Sequence, residues 1–288
     1  MTTTLISILS GLGGMFGWGT SDFFANNAAE KIGHSKTVFY SQIFGALLLI
    51  LLSFFFPLSF TLEAKILPLL IFGSLCYSFG YVYLYKAFEI GNLSVTSTVS
   101  NLNVVIGMAI AFIARDQRLA GFQLFAVSLI LLGIFLVSIN INDLIHSKVS
   151  LLSGVKEALV AAFAFGFFWN VSEILSEDLG WLATSFLTKI ISLIALYLIF
   201  RLTKQSLDIK KQKNILPIVA LVGILEALAV ASVNFGLEVG DLVLVDPIAA
   251  ALSIVTISLA VIFLKEKLTK IQVVGIVSTI TGIILTAI

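Results

Sequence analysis

Sulfur and imidazole are nearly missing from this 288-residue chain. The single cysteine, Cys76, rules out an internal disulfide and any thiolate cluster. The two histidines, His34 and His146, fall in connecting segments, so little remains from which to build a metal site. Charge is scarce as well. Asp, Glu, Lys and Arg make up 11% of the chain and the net charge is +1, which leaves no clustered basic face for nucleic acid. No histidine lies inside an apolar stretch, and no nucleophile with its base is visible at depth. The chain is therefore expected to carry no catalytic residues, no cofactor and no metal, and not to be an enzyme.

Apolar side chains are what the sequence has in excess. At 59% hydrophobic and a mean hydropathy of +1.11, the chain cannot hide its apolar surface in one soluble core, so lipid must solvate it. About 20 apolar residues cross the hydrocarbon of a bilayer. The sequence supplies ten such stretches, near 4–27, 37–56, 66–88, 94–114, 119–139, 153–175, 181–201, 214–236, 243–264 and 269–288. The first has no positive charge before it and runs past residue 20 without a small-residue cleavage site, which predicts a retained helix rather than a signal peptide. Most connections are very short, so consecutive helices are expected to be antiparallel neighbours in an all-α membrane protein.

The chain also says nearly the same thing twice. Residues 16–137 align with 165–286 at a constant offset of 149. Phe16-Gly17 falls on Phe165-Gly166, Glu89-x-Gly91-x-Leu93 on Glu238-x-Gly240-x-Leu242, and Gln123 on Gln272. Each copy holds five apolar segments, an odd number, so the copies enter the membrane in opposite orientations if every segment spans. That pattern is the inverted repeat of a secondary transporter. The division expected is 1–139 for the first repeat, 140–152 for a linker and 153–288 for the second repeat.

The double set of five segments, the Phe-Gly-Trp-Gly run at 16–19 and the end of each half resemble the EamA-type members of the drug/metabolite transporter superfamily. In the second half the resemblance rests on Lys265-Glu266-Lys267-Leu268-Thr269 followed by Gln272, Gly275 and Gly282. In the first half Gln117 stands where that pattern has Glu266. The resemblance implies a cavity bounded by segments 1, 3, 4, 6, 8 and 9, with the last segment of each half as scaffold. It also implies transport, since such proteins handle amino acids, sugars, nucleotide sugars and drugs. Glu266 reads as a structural residue that accepts amides at the start of the tenth segment.

Candidate site residues follow from cost, because an ionisable group at the centre of a span costs roughly 2.5 to 3.5 kcal/mol and must face protein or water. In segment 8, Gly223, Glu226, Ala227, Val230 and Asn234 form one stripe. Glu226 is either a protonatable group at the substrate site or half of an ion pair with Lys189, the only basic residue away from the ends of a span. Segment 6 offers Asn170 and Glu173 beside Trp169, and segment 1 offers Trp18, Asp22 and Asn26, with Ser21 aligned on Asn170. Trp18 and Asp22 alternatively sit in the interfacial belt. Tyr77, Tyr81 and Tyr85 share one face of segment 3, either as a stacking surface for a flat or cationic solute or as ordinary packing. Segment 4 adds Ser97, Ser100, Asn101 and Asn103. Asp246-Pro247 reads as an N-cap followed by the first helical position, with solute or ion binding as the alternative. The substrate-binding set expected is Trp18, Asp22, Tyr77, Tyr81, Asn101, Asn170, Glu226 and Asn234, with Glu226 as the proton-coupling candidate.

These residues point to alternating-access transport of a small organic metabolite across the plasma or inner membrane. An amino acid, amine or drug-like cation is favoured, in the export direction and with proton coupling as an option. The partners expected are a small-molecule substrate and the lipid bilayer, with no nucleic acid, and a monomer or homodimer. A sugar or nucleotide-sugar carrier of the same fold is the alternative, and a non-transporting bundle is a third reading. Thirteen of the 17 Lys and Arg fall in loops after odd-numbered segments and three after even-numbered ones. The positive-inside rule then places both termini outside the cytoplasm, whereas the family resemblance implies both inside.

Overall fold

The computed structural model describes residues 3–58, 60–91, 93–138, 153–265 and 268–286, and among them all regular structure is helical. The helices are α1 (Thr3–Ile32), α2 (His34–Leu52), α3 (Leu67–Ile90), α4 (Leu93–Ser100), α5 (Leu102–Ala114) and α6 (Gly121–Ser138) in the first half. The second half has α7 (Val155–Leu179), α8 (Trp181–Leu202), α9 (Leu216–Val239), α10 (Leu242–Ala249), α11 (Leu252–Leu264) and α12 (Lys270–Thr286). Segments 4 and 9 are thus each broken in two, at Asn101 and at Ala250-Ala251, and residues 101 and 250 are equivalents at offset 149.

Six helical stretches are long and apolar enough to cross a membrane: His34–Leu52, Leu67–Ile90, Val155–Leu179, Trp181–Leu202, Gln212–Val239 and Leu242–Phe263. The apolar helices Leu102–Ala114, Gly121–Val137 and Lys270–Thr286 are shorter. Large side chains such as Phe72, Phe125, Phe135, Leu198, Phe263 and Val274 stand exposed around the bundle, as lipid-facing residues do. The chain is a multi-pass integral membrane protein.

The two copies are inverted. Helices α6 and α12, the last of each copy, run antiparallel against each other. A Cβ on Gly275 would lie 2.6 Å from the Val137 nitrogen, and one on Gly282 would lie 2.7 Å from the Ala126 carbonyl. The contact is self-complementary: Gly133 faces Gly275 and Thr279, while its equivalent Gly282 faces Ala126 and Ile130, the equivalents of those two. Close approach of this kind needs small residues on both helices. The other large contacts obey the same exchange, α1 packing on α9 as α7 packs on α3.

The gapless offset needs one correction. The hinge between the first two helices of each copy is a glycine with positive φ, Gly33 (φ 87°) and Gly180 (φ 83°), and these differ by 147, not 149. Each hinge is closed in the same way. Glu89 Oε2 accepts from the His34 amide at 3.0 Å and Glu238 Oε2 from the Trp181 amide at 2.9 Å, each satisfying a free amide at a helix start. The paired glutamates of the repeat signature are therefore caps for α2 and α8.

At the start of α12, Thr269 and Gln272 form a reciprocal cap. Gln272 Oε1 accepts from the Thr269 amide at 3.0 Å, and Thr269 Oγ1 accepts from the Gln272 amide at 3.3 Å. The first copy keeps half of this device, Gln123 Oε1 accepting from the Ala120 amide at 3.1 Å. Glu266 lies outside the described residues, as does the linker 140–152.

Candidate functional site

The two helix breaks face each other across the bundle, and a small cavity lies between them, α1, α3 and α7. Helix α1 contributes Trp18 and Asp22, one turn apart, and α3 contributes Tyr81, Leu84 and Phe88 from one face. Phe165 and Trp169, again one turn apart, come from α7. The breaks bring in Ser100, Asn101 and Asn103 on one side and Asp246, Ala250 and Leu252 on the other. The walls are largely aromatic: Trp18 meets Trp169 edge to face at 5.2 Å, and Tyr81 meets Phe165 at 5.0 Å. Asp22 lies ten residues before the end of α1, about 15 Å at the helical rise, and faces the cavity.

The polar groups of this cavity are unsaturated. Asp246 is 2% exposed and its Oδ2 accepts no hydrogen bond. Asp22 has no hydrogen-bond or ion-pair partner among the described residues. The Trp18 Nε1 and Ser100 Oγ atoms are buried and unpartnered too, whereas Asn101 Nδ2 donates to Ser253 Oγ at 3.1 Å. No Lys or Arg belongs to the described lining. The free volume is about 70 Å³.

Asp246 is therefore not an N-cap. Helix α10 begins four residues earlier, at Leu242, with Asp241 in extended conformation before it. Glu173 Oε1 accepts from the Leu242 amide at 2.8 Å. That cap moves the helix start outward by a turn and leaves Asp246 turned into the cavity.

Glu226 sits elsewhere, in a fully buried tetrad. Lys189 is ion-paired with Glu226 and donates to Tyr77 Oη at 2.6 Å and to Gln42 Oε1 at 2.9 Å, so its three protons have three acceptors. The Tyr77 hydroxyl donates in turn to Glu226. Tyr77 and Glu226 are equivalents at offset 149, and Gln42 and Lys189 are equivalents at offset 147. The tetrad consists of two exchange-related pairs meeting on the pseudo-two-fold axis. Tyr77 adjoins the cavity wall through Tyr81, at 4.8 Å between rings, but neither Tyr77 nor Glu226 belongs to the lining.

Asn234 is engaged in packing, accepting from Ser172 Oγ at 2.8 Å and donating to Ser185 Oγ at 2.9 Å. Asn170 donates to the carbonyls of Gly107 at 3.0 Å and Gly166 at 2.9 Å, which ties α7 to α5 just behind the cavity. Of the eight residues expected to bind substrate, Trp18, Asp22, Tyr81 and Asn101 line the cavity, whereas Tyr77, Asn170, Glu226 and Asn234 stand behind it. Phe165, Leu84 and Phe88 carried no sign in the sequence, since an apolar wall looks like any apolar packing.

Polar contacts tie the α5–α6 turn to α7. Arg115 Nη2 reaches Glu177 Oε1 at 2.6 Å, and its Nε lies 3.3 Å from Glu173 Oε2. Gln117 Nε2 donates to Glu173 Oε1 at 2.8 Å, the oxygen that also caps α10. One buried carboxylate thus joins α7, α10 and the α5–α6 turn.

The model of the EamA-like transporter family matches residues 5–139 and 152–288, one copy for each half. A solved crystal structure described only as "Crystal structure of protein" superposes with a TM-score of 0.76 at 14% identity, over 97% of this chain and 95% of that one. At that identity the likeness is one of fold. No curated protein matches the sequence.

Proposed function

From the premise that this chain belongs to the EamA-like transporter family, we propose that it carries a small organic metabolite across the plasma or inner membrane by alternating access. An amino acid, amine or drug-like cation is favoured. The observation that carries the reading is the cavity built by both inverted copies between their equivalent helix breaks. Discontinuous helices at a repeat interface are where transporters of this kind hold their solutes. The breaks at Asn101 and Ala250 supply hinges, and the Arg115 contacts supply a tie between the α5–α6 turn and α7, which are parts that rocking of one copy against the other can use.

The proposal extends to outward transport coupled to protons, with Glu226 as the coupling group. Glu226 balances Lys189 on the axis between the copies. A proton on Glu226 would leave the buried ammonium without its counter-charge and loosen the contact through which the copies meet.

The test is flux in proteoliposomes loaded with a mixture of cellular metabolites. Protein-dependent, saturable movement of at least one small solute supports transport; no movement of any component overturns it and favours a non-transporting bundle. Replacing Glu226 with Gln strands Lys189 and costs stability; in variant protein that still folds, dependence on a pH gradient should be lost while exchange persists, and unchanged dependence removes Glu226 from coupling. A sugar or nucleotide-sugar carrier is the second reading. It is less favoured because a nucleotide sugar's phosphates would meet Asp22 and Asp246 with no basic residue in the described lining.

A further inference from the structure

We propose that the cavity selects organic cations that lack a carboxylate, so that an amine is taken and the amino acid of the same skeleton is refused. The inference rests on the transporter reading above and specifies its substrate class.

The lining presents two acidic side chains, Asp22 from the first copy and Asp246 from the second, and no basic one among the described residues. Every other buried acid described in the bundle core is compensated. Glu226 has Lys189, and Glu173 has Arg115, Gln117 and the Leu242 amide. Asp22 and Asp246 have nothing comparable, although Asp246 is 98% covered and its Oδ2 faces Gly107 beside the cavity. Asp246 is buried and Asp22 half-buried; a carboxylate so enclosed without donors is costly, and a cation that arrives with the ligand would offset both.

The walls fit the same chemistry. Trp18, Trp169 and Tyr81 place ring surfaces around the acids, and aromatic faces attract ammonium and guanidinium groups. A zwitterion would bring its own carboxylate next to two others in a site of low dielectric, where like charges repel strongly. The unpartnered Trp18 Nε1 and Ser100 Oγ atoms are donors; they suit a neutral oxygen such as a hydroxyl elsewhere on the amine, and two neutral donors do not balance a third negative charge.

Matched pairs test the proposal: cadaverine against lysine and agmatine against arginine, each as labelled solute in proteoliposomes. Binding is read in parallel from tryptophan fluorescence, since two of the chain's three tryptophans line the cavity. The expected result is amine flux and a fluorescence change at concentrations about tenfold or more below those at which the amino acid acts. Asp22→Asn and Asp246→Asn should each weaken the amine by about tenfold, a change of about 1.4 kcal/mol. Asp22→Glu, which keeps the charge, should retain part of the effect even where the Asn variant folds poorly.

Equal or better handling of the amino acids overturns the proposal, as does amine binding that survives both Asn substitutions in folded protein. If the metabolite mixture shows flux of neutral, zwitterionic or anionic solutes only, the substrate class falls while transport stands. If nothing moves, the transporter reading itself has failed.

Discussion

Tyr77 and Glu226 occupy the same position in the two copies of the repeat, and the hydroxyl of one donates directly to the carboxylate of the other. Equivalent residues can touch only on the axis that relates the copies, so this contact marks the axis in the core. A second mark lies between α6 and α12, where Ser278 Oγ donates to the carbonyl of its equivalent Leu129 at 3.1 Å. Lys189 and Gln42 complete the inner contact as the other exchanged pair. The buried Lys189–Glu226 pair therefore lies where the two halves meet on their axis.

Removing one member of that ion pair strands the other. Lys189→Met alone should destabilise the protein by about 3 to 5 kcal/mol, because Glu226 would then be charged, buried and unpaired. Combined with Glu226→Leu, the loss should be clearly smaller than the sum of the two single losses. Thermal unfolding in detergent measures both, and strictly additive losses would contradict the pairing.

The α6–α12 seam tolerates no added bulk. Gly275→Val would drive a side chain into the Val137 backbone, where even a Cβ would stand 2.6 Å from the nitrogen. A cost of about 1 to 3 kcal/mol or more is expected, seen as a lower unfolding temperature. An unchanged unfolding temperature would show that the seam is looser than described.

The hinge caps should matter locally and equally in the two copies. Glu89→Ala and Glu238→Ala each remove an acceptor from the first amide of a helix, a loss of about 1 kcal/mol by analogy with N-cap side chains. Hydrogen exchange should quicken at His34 in the first variant and at Trp181 in the second, each leaving the opposite hinge unchanged. Faster exchange at both hinges from either substitution would argue against two independent caps.

The Arg115 contacts predict sidedness. With Cys76 replaced by Ala and a cysteine placed at Asn103 on the cavity wall, an impermeant maleimide added from the face that holds the α5–α6 turn should react slowly. Arg115→Ala should raise that rate, because it removes the contacts to both Glu173 and Glu177. Equal rates with and without Arg115 would mean that these contacts do not close this end.

Much of this architecture was legible from residue order. The apolar stretches and the repeat offset are one-dimensional facts; of the ten stretches expected to span, six are, among the described residues, helices long and apolar enough to cross a membrane and three more are shorter apolar helices. The Lys189–Glu226 pairing was legible through scarcity, because the span interiors hold one basic residue to meet their acids. Gln42 was invisible as a member of that group, since the offset slips by two between the Gly33 and Gly180 hinges and a gapless alignment sets Gln42 against the wrong partner. Asp246 was legible as polar but misassigned. A proline after an aspartate resembles a helix start, and only the distant cap from Glu173 to the Leu242 amide shows that the helix begins a turn earlier.

The sequence by itself determined that the chain lives in lipid and is built of two copies of one pattern, because composition and periodicity act through hydration, which needs no knowledge of neighbours. Which acids are balanced and which are left open was decided only by the tertiary structure. Glu226 and Asp22 are both carboxylates within apolar stretches, and the difference between an axis contact and a cavity wall lies in whether a lysine from another helix reaches them. That is a matter of a few ångströms between residues far apart in the chain, and linear order does not encode it directly.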